Sequence, residues 1–263
     1  MVGDETDPNF HSGTSTDFLY RIDLPKNNNY DRVAVVQANC NKSWYNVVAG
    51  RNTLTLDEES GTETTVTIAP GVYTKTTFAT ALAAGLSGGT HTYSVAYSDL
   101  VAGYTITCTG HTLQSRIDFG ADSMLHRLCG FARGSSNTFV AGALSSTSSI
   151  NMQFTNVISI RSDLVSGVVD QILQEVCCGD VPYRSLVHYH AADLHLNSKE
   201  IHHNASNLFR FVITDQAAHV MDFNGGDNSL HMTLVFYTRD RTNERTHKLI
   251  GSQLMSEYNK LLE

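Results

Sequence analysis

Charge is in short supply in this 263-residue chain: Asp, Glu, Lys and Arg together make up 17% of it. Basic residues are the scarcer kind, 18 against 26 acidic, for a formal net charge of −8. No block of Lys and Arg occurs anywhere. A surface that tracks phosphates needs a basic stripe, so sequence-specific nucleic-acid binding is not expected. Long apolar runs are also missing. None approaches the roughly 18 residues of a membrane-spanning helix, so no transmembrane segment is expected. The opening stretch MVGDETDPNF is acidic and polar, so no secretory signal is expected there. The five cysteines, at 40, 108, 129, 177 and 178, are odd in number and lack the spacing of a disulfide framework. The vicinal Cys177–Cys178 pair suits neither a zinc knuckle nor a redox CxxC motif, so reduced thiols are expected. No GxSxG elbow and no phosphate-binding loop occurs either.

What is abundant is Ser, Thr and Asn among β-branched and aromatic residues, a balance that suits strands and turns. DFLYRIDLP puts Phe18, Tyr20, Ile22 and Leu24 on one face and Arg21 and Asp23 on the other. DRVAVVQANC, NTLTLDEE, TETTVTIAP, the pair HTYSVAYS and GYTITCTG, INMQFTNVISIRSD, VVDQILQEVC, SLVHYHAADLHL, LFRFVITD and SLHMTLVFYT extend the series. TKTTFATALAAGLSGG is a helix, with Phe78, Leu82 and Leu86 at i, i+4 and i+8 and Gly88–Gly89 as its stop. SMLHRLCGF reads as a shorter helix with Gly130 just past its end.

With many strands, few helices and no βαβ alternation, the fold class is mainly β, an antiparallel β-sandwich. The organisation expected is a flexible N-terminal arm over 1–16, a sandwich over 17–240 and an α+β insertion at 62–146. An amphipathic helical tail over 241–263 carries Ile250, Leu254, Tyr258 and Leu261 on one stripe.

Twelve histidines, clustered in VHYHAADLHLNSKEIHH, raise the question of a metal. His188 and His190 alternate on a strand and face the same way, and Asp193 and His195 follow. The HxH pattern is similar to that of cupins, where three His suit zinc and two His with a carboxylate suit non-haem iron. The stretch after it lacks the cupin glutamate, and the third-ligand candidates His219 and His231 lack flanking glycines. The plainer reading is a polar, wet face on an edge strand. In DFNGGDNSLHMTLVFY, Asp222, Asn224, Asp227 and Asn228 are all oxygen ligands. An EF-hand loop would carry Glu at its twelfth position and lie between helices. Asn-Gly and Gly-Asp are instead turn residues, so HVMDF (219–223) and LHMTLVF (230–236) are read as the two arms of a β-hairpin. Leu230, Met232, Leu234 and Phe236 are expected to face the core. Asp57, Glu58 and Glu59, beside Ser60–Gly61, are expected to be solvated turn charges. No catalytic, cofactor-binding or metal-ligating residue is assigned, and no enzymatic activity is expected.

Several segments resemble, in this order, one family. They are DFLYRIDLP, YDRVAVVQANCNKSWYNV, NTLTL, VTIAPGVYTKTTFATAL, YSVAYS, LHRLCGF, a strand ending IRSDLV, ILQEV and LFRFVITDQAAHVMDFNGGDNSLHMTLVFY. The likeness is to the penton, or minor capsid, proteins of virophages, polinton-like viruses and related eukaryotic double-stranded DNA viruses, and it runs from about Asp17 to Tyr237. It implies a single jelly roll at the five-fold vertex of an icosahedral capsid. It also implies a homopentamer set among major capsid protein trimers and a virion location. Alternatives are a non-vertex minor capsid or cement protein, a glycan-binding attachment sandwich and a cupin-like metalloprotein.

Overall fold

Alternation of apolar and polar residues at period two is the dominant pattern of the chain, and antiparallel pairing is its consequence. The computed structural model describes residues 7–24, 30–58, 62–110, 115–134, 137–153, 155–165, 171–202, 207–224 and 230–238. Two compact units emerge: Met1–Lys42 with Val157–Glu263, and Ser43–Asn156. In chain order the first unit begins with β1 (Phe10–Gly13), β2 (Asp17–Arg21) and β3 (Arg32–Asn41). The second supplies β4 (Thr53–Glu58), β5 (Thr62–Thr67), α1 (Lys75–Leu86), β6 (Thr92–Ser98), β7 (Gly103–Thr109), β8 (Arg116–Asp118), α2 (Leu125–Cys129), β9 (Asn137–Thr138) and β10 (Ala143–Ser145). The first resumes with β11 (Val157–Ser162), β12 (Ile172–Cys177), β13 (Leu186–His190), β14 (Lys199–Glu200), β15 (Leu208–Thr214) and β16 (His231–Tyr237).

The first unit is an antiparallel β-sandwich. One sheet runs β1-β2-β15-β11-β12, and in the other β3 lies between β16 on one side and β13 and β14 on the other. The chain changes sheet between β2 and β3, between β3 and β11, between β12 and β13, between β14 and β15, and again between β15 and β16. Phe18 stacks on Phe211 at 5.6 Å between ring centres, and Phe209, Phe211 and Ile213 of β15 are fully buried. Val33 and Val35 of β3, Val187, Leu230 and Met232 are buried residues of the other sheet. Residues 10–13, within the stretch read as an arm, pair with β2. The earliest residues of that arm (1–6) and the tail at 241–263 lie outside the described residues.

The second unit takes in the 62–146 interval and extends on both sides of it. It holds two sheets, β10-β7-β6 and β5-β4-β8-β9, with a core of its own around Phe78, Leu82 and Leu86 of α1. Thr74 caps α1: its hydroxyl accepts the Thr77 N–H, and the Thr77 hydroxyl accepts the Thr74 N–H. The helix ends at Leu86 with Ser87 as its cap, so Gly88–Gly89 follow the stop rather than form it. Gly89 answers to a different constraint. A Cβ there would lie 2.5 Å from the Glu58 carboxylate. Gly130 does end α2 as expected, in the left-handed conformation at φ +72°, with no room for a Cβ beside Ser148 O.

Candidate functional site

The histidine-bearing face is built by strand register. β13 places His188 opposite Asn39 and His190 opposite Gln37 of β3. On the other side of β3, β16 places His231 opposite Asn39 and Thr233 opposite Gln37. Two polar rows therefore cross the outer face of this sheet, His188–Asn39–His231 and His190–Gln37–Thr233. The intervening residues Tyr189, Ala38 and Met232 point inward, as alternation requires. His188, His190 and His231 are exposed, and β13 is an edge strand. The Nδ1 of His188 pairs with the Asn39 side-chain oxygen. His188 and His231 stand two strand spacings apart, about 9–10 Å along the sheet, with Asn39 between them.

The other candidates lie apart from these rows. Asp193 closes a turn by accepting the N–H groups of His195 and Leu196, and the His195 ring meets Tyr237 edge-on at 5.5 Å. His219 belongs to a turn closed by Asp215, whose carboxylate accepts the His219 N–H at 2.9 Å. Among the described residues, no three His, Cys, Asp or Glu side chains converge as a metal would require.

The acidic loop after β15 is described only in part. The Asp222 carboxylate accepts the Asn224 N–H at 2.7 Å, and Asn224 takes a left-handed φ of +57°. That is a turn closed by a side chain. Gly225, Gly226, Asp227 and Asn228 lie outside the described residues. The hairpin reading needs correction. Val220 bridges back to Thr214, and Met221 donates to Ile213 O, so this segment returns along β15, while β16 pairs with β3. A hydrophobic pattern identifies strands but does not choose their partners.

Two chemically distinctive clusters fall outside the histidines. At the end of β3 the buried Lys42 ammonium donates to Cys178 O at 2.8 Å. Burial, with Cys178 adding to it, pushes the Cys40 thiol up to about 12. Burial likewise raises Cys178 to about 11, with Lys42 pulling the other way. A nucleophilic thiol needs the opposite shift, so these two remain protonated, packed groups near neutral pH.

In the second unit, Glu58 corrects the reading of a solvated turn. It is 7% exposed and in phase with the buried Leu54 and Leu56 of β4. Its carboxylate accepts the Thr90 N–H at 2.7 Å, the Tyr93 hydroxyl at 3.0 Å and the His91 N–H at 3.2 Å. Burial opposes ionisation, yet these bonds outweigh it and hold the pKa below the usual glutamate value. The group ties the start of β6 to β4. Its role is structural.

Grooves open along two different edges of the first unit. One, of about 580 Å³, is lined by residues of the β12 edge, by residues 196–200 and by Arg32. The other, of about 450 Å³, lies between the end of β2 and β16 and is lined by Tyr20, Ile22, Met232, Leu234 and Phe236 together with the polar Asn9, Arg21, Asp23 and Thr233. A β-bulge between Thr233 and Leu234 shifts the register there. Leu230 and Met232 are buried as expected, whereas Leu234 and Phe236 are only half-buried. The extra residue is Val36 of β3, skipped between Gln37 opposite Thr233 and Val35 opposite Leu234, and no period in β16 reveals it.

No family model matches the sequence, and no curated protein matches it. Among solved structures, the chain is similar to a selenomethionine-labelled mavirus penton protein, with a TM-score of 0.47 and 13% identity over 85% of this chain and 91% of that one.

Proposed function

We propose that this chain is a structural capsid protein, the penton subunit at the five-fold vertex of an icosahedral double-stranded DNA virus. It acts there as a homopentamer among major capsid protein trimers. One observation carries the reading: the ordered series of segments resembling that family. Those segments fall on β2, β3, β4, β5, α1, β6, α2, β11, β12, β15 and β16, so the likeness follows the structural elements of both units. In this reading the sandwich is the shell-forming part and the unit at Ser43–Asn156 is its insertion.

The edges of the sandwich support a ring. Closed five-fold symmetry joins two different surfaces of each subunit, the heterologous kind of contact. The β12 groove and the β16 groove are two such unlike lateral surfaces. Binding here is a matter of shape and burial, and no chemical step is assigned to the protein.

Native mass spectrometry of the purified chain, together with a reconstruction of the assembled particle, tests this. The expected result is a five-fold ring at the vertex, with the two grooves facing neighbouring subunits. A chain found only in trimers, or placed beneath the major capsid protein away from the vertex, would replace the penton with a minor capsid or cement role.

A further inference from the structure

The outer face of β13 carries a pair of side chains that the capsid reading does not use. His188 and His190 lie two residues apart on one edge strand, and both are exposed. Side chains so placed point the same way and stand about 7 Å apart. The Nδ1 of His188 pairs with the Asn39 side-chain oxygen. An amide oxygen only accepts, so Nδ1 carries the proton and Nε2 keeps its lone pair for another partner. β3 sets Gln37 opposite His190 as it sets Asn39 opposite His188. We propose that His188 and His190 chelate one divalent first-row cation of the kind that prefers imidazole, copper(II) foremost.

The chemistry of the pair fits this ligand. Imidazole suits copper, nickel and zinc, and affinity at such donors peaks at copper(II). A ligating histidine commonly donates its other ring N–H to an oxygen, which fixes the tautomer and raises the basicity of the metal-facing nitrogen. Asn39 stands in that place for His188. A closed metal centre takes three or more protein ligands, and the described residues hold no such group. A chelate on an exposed strand needs only two nitrogens. Copper(II) accepts a square-planar set of nitrogen and oxygen donors, so water or a side chain of an approaching molecule completes it. Once one ring has bound, the second is tethered beside the ion, which raises the affinity well above that of a lone histidine. His231 shares the Asn39 row but lies two strand spacings from His188, and diagonally farther from His190, so it stays outside the pair.

Calorimetric titration of the full chain with copper(II) chloride, joined to electron paramagnetic resonance at one equivalent, tests the assignment. The expected result is one tight equivalent with two nitrogens bound to the ion. His188→Gln and His190→Gln should each weaken it at least about tenfold and leave one nitrogen. Both positions are exposed, so the fold should survive either change. His231→Gln should leave it unchanged. Asn39→Ala, which frees the His188 ring, should cost about 10–100-fold. If that change disturbs β3, Asn39→Asp keeps an acceptor and should bind at least as tightly as the unaltered chain. Weak binding spread over many histidines and indifferent to His188→Gln and His190→Gln would mean an adventitious ion only and overturn the proposal. Loss with His231→Gln but not with His190→Gln would place the ion across the strands and overturn the pair equally.

Discussion

Arg210 holds Asp17 through one edge of its guanidinium, Nε at 2.8 Å and Nη2 at 2.6 Å from the two carboxylate oxygens. The pair joins β15 to β2, and the Arg210 N–H also donates to Asp163 at 2.8 Å. The Arg210 hydrogen bonds hold the Asp17 carboxyl below its ordinary range. Yet Arg210 is 56% exposed and Asp17 32%, so water and salt screen the attraction. Arg210→Met is therefore expected to cost no more than about 1 kcal/mol in urea unfolding, and the loss should shrink in high salt.

Glu58 makes the opposite case, because its carboxylate is itself buried and Tyr93 is buried with it. Its pKa is lower in the fold than in the unfolded chain, so its contribution is fully present above about pH 4.3. That contribution fades as pH falls through the lower, folded value. Glu58→Gln removes the charge and places an amide donor against Thr90 and His91 N–H. The expected cost is roughly 1–3 kcal/mol at pH 7, narrowing markedly by pH 3. Thermal melts of both proteins across that range check it.

β4 also shows what the sequence had already disclosed. TLTLDE alternates, and carrying the period through places Glu58 inward with Leu54 and Leu56. Only the habit of assigning acids to solvent obscures this. α1 was fully legible, since Phe78, Leu82 and Leu86 declare one face and all three are buried. The shared face of His188 and His190 was legible for the same reason. That His231 shares a row with His188 was not, because the row depends on both strands pairing with β3. Pairing across about 150 residues is a tertiary choice that leaves no local trace. The bulge at Val36 of β3, opposite β16, and the return of 219–223 along β15 were hidden likewise.

Tyr189 offers a test of polar satisfaction. Its side chain points inward from β13, and its hydroxyl is buried without a hydrogen-bond partner among the described residues. A buried hydroxyl that has left water for no partner lowers stability by about 1–3 kcal/mol. Tyr189→Phe deletes the oxygen and keeps the ring. It should leave the melting temperature unchanged or raise it by a few degrees. A clear drop in calorimetry would mean that the hydroxyl is bonded after all.

β16 supplies the sharpest comparison, between two residues of one strand on either side of the bulge. Met232 is 3% exposed and sits opposite Ala38 in the interior. Leu234 lies beyond the shift, opposite Val35, and lines the groove half-buried. The two share one phase of β16, and an unshifted register would make them alike. With the bulge, Met232→Ala opens a cavity that the surrounding sheets cannot close, at about 2–5 kcal/mol. Leu234→Ala removes a side chain already partly in contact with solvent, so roughly half that loss is expected. Urea unfolding at equal denaturant dependence ranks them directly. Equal costs would mean that Leu234 is as much a core residue as Met232.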